Sequence, residues 1–180
     1  MPAHPTVSNG AILVLGGARS GKSAYGESLL AGGPALYLAT AQARDAEMDD
    51  RIARHRARRG ADWTTLEEPL DLTGALSRHL TPDRPVLVDC LTLWISNLME
   101  AGRDVEAATA DLCRLLADPP GPVVLVSNEV GLGLVPETAL GRVFRDHQGR
   151  VNQRVAEVCG QVVFVAAGLP LMLKAPPENP

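Results

Sequence analysis

Short apolar runs alternate along the chain with longer segments in which apolar positions return every three or four residues. The runs are Ala11-Ile12-Leu13-Val14-Leu15, Ala35-Leu36-Tyr37-Leu38-Ala39, Pro85-Val86-Leu87-Val88-Asp89, Val123-Val124-Leu125-Val126-Ser127 and Val162-Val163-Phe164-Val165-Ala166. Their lack of polar alternation predicts strands buried on both faces. Residues 63–66 form a shorter strand candidate, and 171–174 an edge strand before a Pro-rich end. Between the runs, the spacing predicts helices over 22–30, 45–59, 71–80, 92–99 and 105–116, and a long amphipathic segment over 137–159 nicked at Gly149. Gly32-Gly33-Pro34, Ala101-Gly102 and Pro119-Pro120-Gly121-Pro122 supply the breaks. Strands alternating with helices imply an α/β fold, a mostly parallel sheet with helices on both faces, whose ligands gather at the carboxyl ends of the strands. With no internal repeat or linker, one domain is expected over 10–174, with a flexible tail over 1–9 and another over 175–180.

Composition narrows the class. A chain of 180 residues, 46% apolar and 21% charged, is ordinary for one globular domain. The net charge of −4 argues against a nucleic-acid surface, which would carry a basic excess. Cys90, Cys113 and Cys159 are odd in number and contain no C-x-x-C pair, so neither a disulfide framework nor a zinc site is indicated and a reduced compartment fits. Residues 1–9 lack the basic start and apolar core of a signal peptide. The longest apolar stretch, 162–173, is interrupted by Gly168 and Pro170 and is too short to cross a bilayer. A cytoplasmic protein without a membrane span is expected.

Gly16-Gly17-Ala18-Arg19-Ser20-Gly21-Lys22-Ser23 matches G-x-x-x-x-G-K-[ST] in full, between a predicted strand and a predicted helix. Glycines in such a loop let successive backbone N–H groups turn around a phosphate, and the helix adds its positive dipole end. Lys22 would reach the β and γ phosphates of ATP or GTP, and Ser23 would hold Mg²⁺. Of 17 cationic residues only Lys22 and Lys174 are lysines, so a chain that otherwise uses arginine has placed lysine in this slot.

Further candidates each carry two readings. Asp89 ends an apolar strand, where it would either hold Mg²⁺ or cap the helix that follows. His55 shares the apolar stripe of its predicted helix with Met48 and Ile52 and is flanked by Arg51, Arg54, Arg56 and Arg58. It is either a packed core residue or a ring kept neutral by those charges and available as a nucleophile or base. The arginines are a solvated helix end or neutralise phosphates. Glu67-Glu68 are nucleotide or metal contacts, or surface acids. Asn128-Glu129 form a polar turn or meet a substrate hydroxyl, with Glu129 as general base. Arg142, Arg145, Arg150, Asn152 and Arg154 make a second cationic, amide-bearing stretch, in which Arg142 and Asp146 are spaced for a surface pair. A second substrate is the other use for that stretch.

Taken together, the phosphate loop, Tyr37-Leu38-Ala39-Thr40-Ala41, Arg51-Ile52-Ala53-Arg54-His55-Arg56, Val88-Asp89-Cys90-Leu91-Thr92-Leu93-Trp94, Ser127-Asn128-Glu129-Val130-Gly131 and the stretch from Phe144 to Arg154 resemble the adenosylcobinamide kinase / adenosylcobinamide-phosphate guanylyltransferase family. The resemblance implies a RecA-like P-loop fold, a homotrimer, and two reactions. ATP or GTP phosphorylates the aminopropanol hydroxyl of adenosylcobinamide; GMP from GTP is then joined to that phosphate with release of pyrophosphate. It further implies that His55 carries GMP as a phosphoramidate, that Gly16, Gly17, Ala18, Arg19, Ser20, Gly21, Lys22 and Ser23 cradle nucleotide, and that Ala39, Thr40, Ala41, Arg56, Ala57, Arg58, Arg59, Glu67 and Asp89 make further nucleotide contacts. A monofunctional P-loop kinase of small molecules is the alternative enzyme, and a nucleotide-driven switch or motor the alternative from another class. The N-K-x-D motif of regulatory GTPases is absent.

Overall fold

A computed structural model describes residues 10–41 and 62–175. Among the described residues, seven strands form one sheet: β1 (Ala11–Gly16), β2 (Ala35–Ala39), β3 (Trp63–Glu67), β4 (Val86–Asp89), β5 (Val123–Asn128), β6 (Gln161–Ala166) and β7 (Leu169–Lys174). Their order is β3-β2-β4-β5-β1-β6-β7, with β7 antiparallel to β6 and every other pairing parallel. The described helices are α1 (Lys22–Leu29), α2 (Leu72–His79), α3 (Leu91–Glu100), α4 (Val105–Ala117) and α5 (Ala139–Val158). The expected helix over 45–59, with His55 and its arginines, lies outside the described residues.

Every residue of β1 and β2 is buried because the sheet is covered on both sides. Successive side chains along a strand alternate between the faces, and two cores result. Ile12, Val14, Tyr37, Ala39, Leu87, Val124 and Val126 pack with Leu29 and Leu30 on the α1 side. Leu13, Leu36, Leu38, Val88 and Leu125 pack with Leu72, Leu76, Trp94, Leu112 and Val151 on the opposite side, under α2–α5.

Two expectations are corrected. The helix that becomes α5 is not nicked at Gly149; it runs unbroken from Ala139 to Val158. A side chain at Gly149 would meet open space, so this glycine sits on the outer face, while the neighbouring Gln148, Val151, Asn152 and Val155 are buried and hold the helix through the weak point. The edge strand begins at Leu169, not at 171. Ala167 and Gly168 both have positive φ (52° and 79°), the two-residue turn that matches strand twist, and it returns the chain immediately. Pro170 is tolerated because β7 is an edge strand with no further partner for its N–H side. No helix among the described residues is long and apolar enough to cross a membrane.

Candidate active site

The loop between β1 and α1 is shaped by its glycines. A Cβ at Gly16 would lie 2.5 Å from the Val165 carbonyl oxygen and 2.6 Å from Ser20 Oγ, so only glycine fits where β1 leaves the sheet beside β6. Gly21, at φ 98°, is the residue from which α1 starts. The loop is propped from the far side by the β6–β7 turn, whose Gly168 N–H donates to the Ser20 carbonyl at 2.8 Å. α1 has no side-chain N-cap and no acid in its first turn, whereas Asp71, Asp104 and Thr138 cap α2, α4 and α5 by accepting from backbone N–H groups. The first turn of α1 therefore presents N–H donors and a positive dipole end with no side chain to satisfy them, the arrangement that receives an anion.

Lys22 opens α1 and is almost fully buried, its Nζ donating to the Gly17 carbonyl at 2.9 Å. Its charge is held within the mouth of the loop. Ser23 follows, half-buried.

The strand ends supply the rest of the edge. In register, Glu67 of β3 lies beside Ala39 of β2, Ala39 beside Asp89 of β4, and Asn128 of β5 beside Gly16 of β1, with β4 and β5 adjacent. The structure thus gathers Glu67, Ala39, Asp89 and the loop along one carboxyl edge. Asp89 continues the parity of Leu87 and points to the α1 side; Tyr37 Oη donates to its Oδ2 at 3.0 Å. The helix-capping reading of Asp89 is not realised, because α3 starts from Cys90 without any side-chain cap. Cys90 itself is chemically quiet. Burial first, and then the Asp89 carboxylate, push its thiol up to about 11, with the Lys22 ammonium acting in the opposite direction.

Thr40 has the opposite parity. Fully buried, its Oγ1 donates to the Cys90 carbonyl at 2.7 Å and accepts from the Cys90 N–H at 2.9 Å, and its own carbonyl accepts from Asn97 Nδ2 at 2.8 Å. Its side chain ties β2 to the β4–α3 junction. Glu67 is exposed at its strand end, while Glu68 closes a turn by accepting from the N–H groups of Leu70 and Asp71. Glu129 binds the Gly131 N–H, and its own N–H donates to the Gly16 carbonyl, which fastens the loop after β5 to the phosphate loop.

The cationic stretch of α5 divides. Arg142 does not pair with Asp146; its guanidinium donates to the carbonyls of Pro136 and Glu137, ahead of its own helix, and Asp146 lies against Arg145. Arg150 and Arg154 both reach Glu106 of α4, at 3.6 and 3.4 Å. Asn152 points inward, where it joins a network absent from the sequence reading. Ser127 Oγ donates to Asn152 Oδ1 at 2.7 Å, and Gln148 Nε2 donates to both. Asn152 Nδ2 donates to the Asn128 carbonyl, and Thr92 Oγ1 accepts from the Asn128 N–H. The available signal was two amides, four apart, on the stripe of α5 that also carries Val151 and Val155.

A loop of this geometry serves many nucleotide chemistries, and the comparisons narrow them. A family model described as cobinamide kinase / cobinamide phosphate guanyltransferase matches residues 12–173. The chain belongs to this family. The bifunctional adenosylcobalamin biosynthesis protein CobP of Pseudomonas aeruginosa is 49% identical over 169 residues, which cover 92% of this chain and 98% of that one. The similarly named CobU of Salmonella typhimurium is 41% identical over 179 residues, covering 91% and 99%. Among solved structures, the chain is similar to PH0250 of Pyrococcus horikoshii (TM-score 0.51, 11% identity, 97% of this chain and 90% of that one) and to an ATPase of a type III secretion system (TM-score 0.50, 12% identity, 91% and 56%). These likenesses concern the fold alone, and it is that of P-loop NTPases.

Proposed function

We propose that the chain performs both reactions of its family: phosphorylation of adenosylcobinamide by ATP or GTP, then transfer of GMP from GTP to adenosylcobinamide phosphate. The observation that carries this reading is the alignment of the whole site edge, from the buried Lys22 to Asp89, within a chain matched by the family over residues 12–173.

In the first reaction the triphosphate lies across the loop from Gly16 to Ser23, and Lys22 turns from the Gly17 carbonyl to the β and γ phosphates. The cobinamide hydroxyl attacks the γ phosphorus and the nucleoside diphosphate leaves. Catalysis here is positioning and charge neutralisation. In the second, His55 attacks the α phosphorus of GTP: a P–N bond forms, the bond to pyrophosphate breaks, and the cobinamide phosphate oxygen then displaces histidine to give adenosyl-GDP-cobinamide. Arg56, Ala57, Arg58 and Arg59, on the segment outside the described residues, belong to the same proposal as nucleotide contacts. Ala39, Ala41 and Glu67 do as well, with Thr40 as the anchor of its segment.

Ser23 and Asp89 are the residues proposed to hold Mg²⁺. One hydroxyl and one carboxylate suit this ion, which takes few protein ligands and completes its shell with phosphate oxygens and water. No cluster of three acidic, histidine or cysteine ligands occurs among the described residues, in keeping with such a sparse donor set. Bound there, the ion would offset the charge of the β and γ phosphates. A homotrimer in the cytoplasm completes the proposal. Leu132, Leu134, Leu169 and Leu171 are each more than half exposed, apolar surface of the kind a neighbouring subunit covers.

The test is pyrophosphate release from GTP with adenosylcobinamide phosphate, alongside α-labelled GTP. Pyrophosphate and acid-labile protein label, lost in His55→Ala, are expected. Phosphorylation of adenosylcobinamide without either would leave a monofunctional kinase.

A further inference from the structure

The β6–β7 turn belongs to none of the motifs that mark the site, yet it meets the phosphate loop at its last bend. Gly168 N–H donates to the Ser20 carbonyl at 2.8 Å, and a Cβ on Gly21 would come within 3.2 Å of Gly168 Cα. In a helix begun one residue earlier the Ser20 carbonyl would take the Ala24 N–H. Instead the α1 ladder opens with Tyr25 N–H donating to the Gly21 carbonyl, and Ser20 is held by a donor from the far end of the chain.

That bond has a consequence on the other side of the same peptide unit. A trans peptide is planar, with its C=O and its N–H pointing in opposite directions. Holding the Ser20 carbonyl toward the β6–β7 turn therefore turns the Gly21 N–H away from the turn, into the concavity of the loop that Lys22 also lines. A bond accepted at the carbonyl also polarises the unit and strengthens its N–H as a donor.

The turn is strained in keeping with a fixed task. Ala167 and Gly168 sit at φ 52° and 79°. Turns of this kind favour asparagine followed by glycine, and an alanine held at positive φ is strained. Such strain persists where the surroundings over-determine it, typically at functional sites. A Cβ on Gly168 would meet open space, so backbone conformation rather than crowding reserves that position for glycine.

We propose that Gly168 is a positioning residue for nucleotide binding: its N–H, acting through the Ser20 carbonyl, keeps the Gly21 N–H aimed at a phosphate of the bound nucleotide. Gly168 itself touches no substrate. The proposal deepens the reading above and rests on its nucleotide site, not on cobinamide.

Calorimetric titration of the full chain with GDP and Mg²⁺, beside a thermal melt, tests it in the wild type, Gly168→Val, Gly168→Asn and Leu173→Gly. A β-branched residue does not keep φ near 79°, so in Gly168→Val the turn rearranges and the N–H at this position leaves Ser20. GDP affinity should fall about tenfold, the loss of one charge-assisted bond. Asparagine tolerates the left-handed region and its Cβ has room, so Gly168→Asn should bind within about threefold of the wild type. Leu173→Gly weakens the exposed far end of β7 and leaves the turn in place; it should bind within about twofold although its melting temperature falls. Affinity that merely follows melting temperature across the variants, or that is unchanged in Gly168→Val, overturns the proposal. Should the valine protein fail to fold, Gly168→Ala decides in its place: weaker GDP binding than Gly168→Asn supports the proposal, and equal binding overturns it. Wild-type protein that binds no GDP would defeat the nucleotide-site reading itself, a result distinct from either.

Discussion

On the sheet face covered by α2–α5, Thr40 and Ser127 end their strands with their hydroxyls engaged by Cys90, Gln148 and Asn152. On the face covered by α1, Asp89 takes a bond from Tyr37, Asn128 leaves its side chain unpaired, and the helix beside them starts without a side-chain cap. Ser127 and Asn128 are neighbours of similar polarity, so composition does not separate them. Parity does: one residue along a strand moves a side chain from a face that consumes polar groups to a face that presents them. The first set fixes the edge of the sheet, and the second is the set on which the proposed nucleotide and Mg²⁺ sites draw.

That contrast can be broken by substitution. The largest effect on stability is expected from Gly16→Ala, where the new Cβ would stand 2.5 Å from a backbone carbonyl of β6. The end of β1 must shift, at a cost of about 1–3 kcal/mol in stability. A thermal melt and a GTP titration should both register it, with affinity reduced about tenfold or more, since donor geometry sets phosphate binding. A smaller effect is expected for Tyr37→Phe, which removes the bond to Asp89. Kinase kcat/KM should fall severalfold, about 1 kcal/mol, with the melting temperature nearly unchanged; an unaffected rate would remove Asp89 from the working face. The least is expected from the thiols. Cys90 and Cys159 are pushed up to about 11 and about 12 chiefly by burial, so iodoacetamide at pH 8 should reach half-buried Cys113 first, as judged by peptide mass. Rapid labelling of Cys90 would mean that the β4–α3 junction opens.

Much of this was legible in the chain because the signals were local. Continuous apolar runs marked the buried strands, and the glycine spacing marked the loop before Lys22. Asp89 stood out by its place at a strand end, but setting aside its helix-cap reading needed the backbone around Cys90. Gly149 misled because a local breaker was outweighed by buried neighbours on the other side of the helix. The pairing of Gln148 and Asn152 with Ser127 joins residues 21 and 25 apart in sequence, and such partners depend on packing rather than on pattern. The Arg142–Asp146 spacing failed for a related reason, since backbone carbonyls at Pro136 and Glu137 offered Arg142 two bonds where Asp146 offered one exposed ion pair.

Kinase kcat and melting temperature, measured together on Lys22→Ala and Asn152→Ala, test the division between the faces most directly. Lys22→Ala should lower kcat about 10²–10³-fold, as loss of a buried transition-state donor does, with the melt almost unmoved. Asn152→Ala should lower the melting temperature by roughly 2–8 °C, from about 1–2 kcal/mol of lost buried hydrogen bonding, with kcat within about threefold. If the two variants lose rate and stability in equal proportion, the faces are not divided in this way.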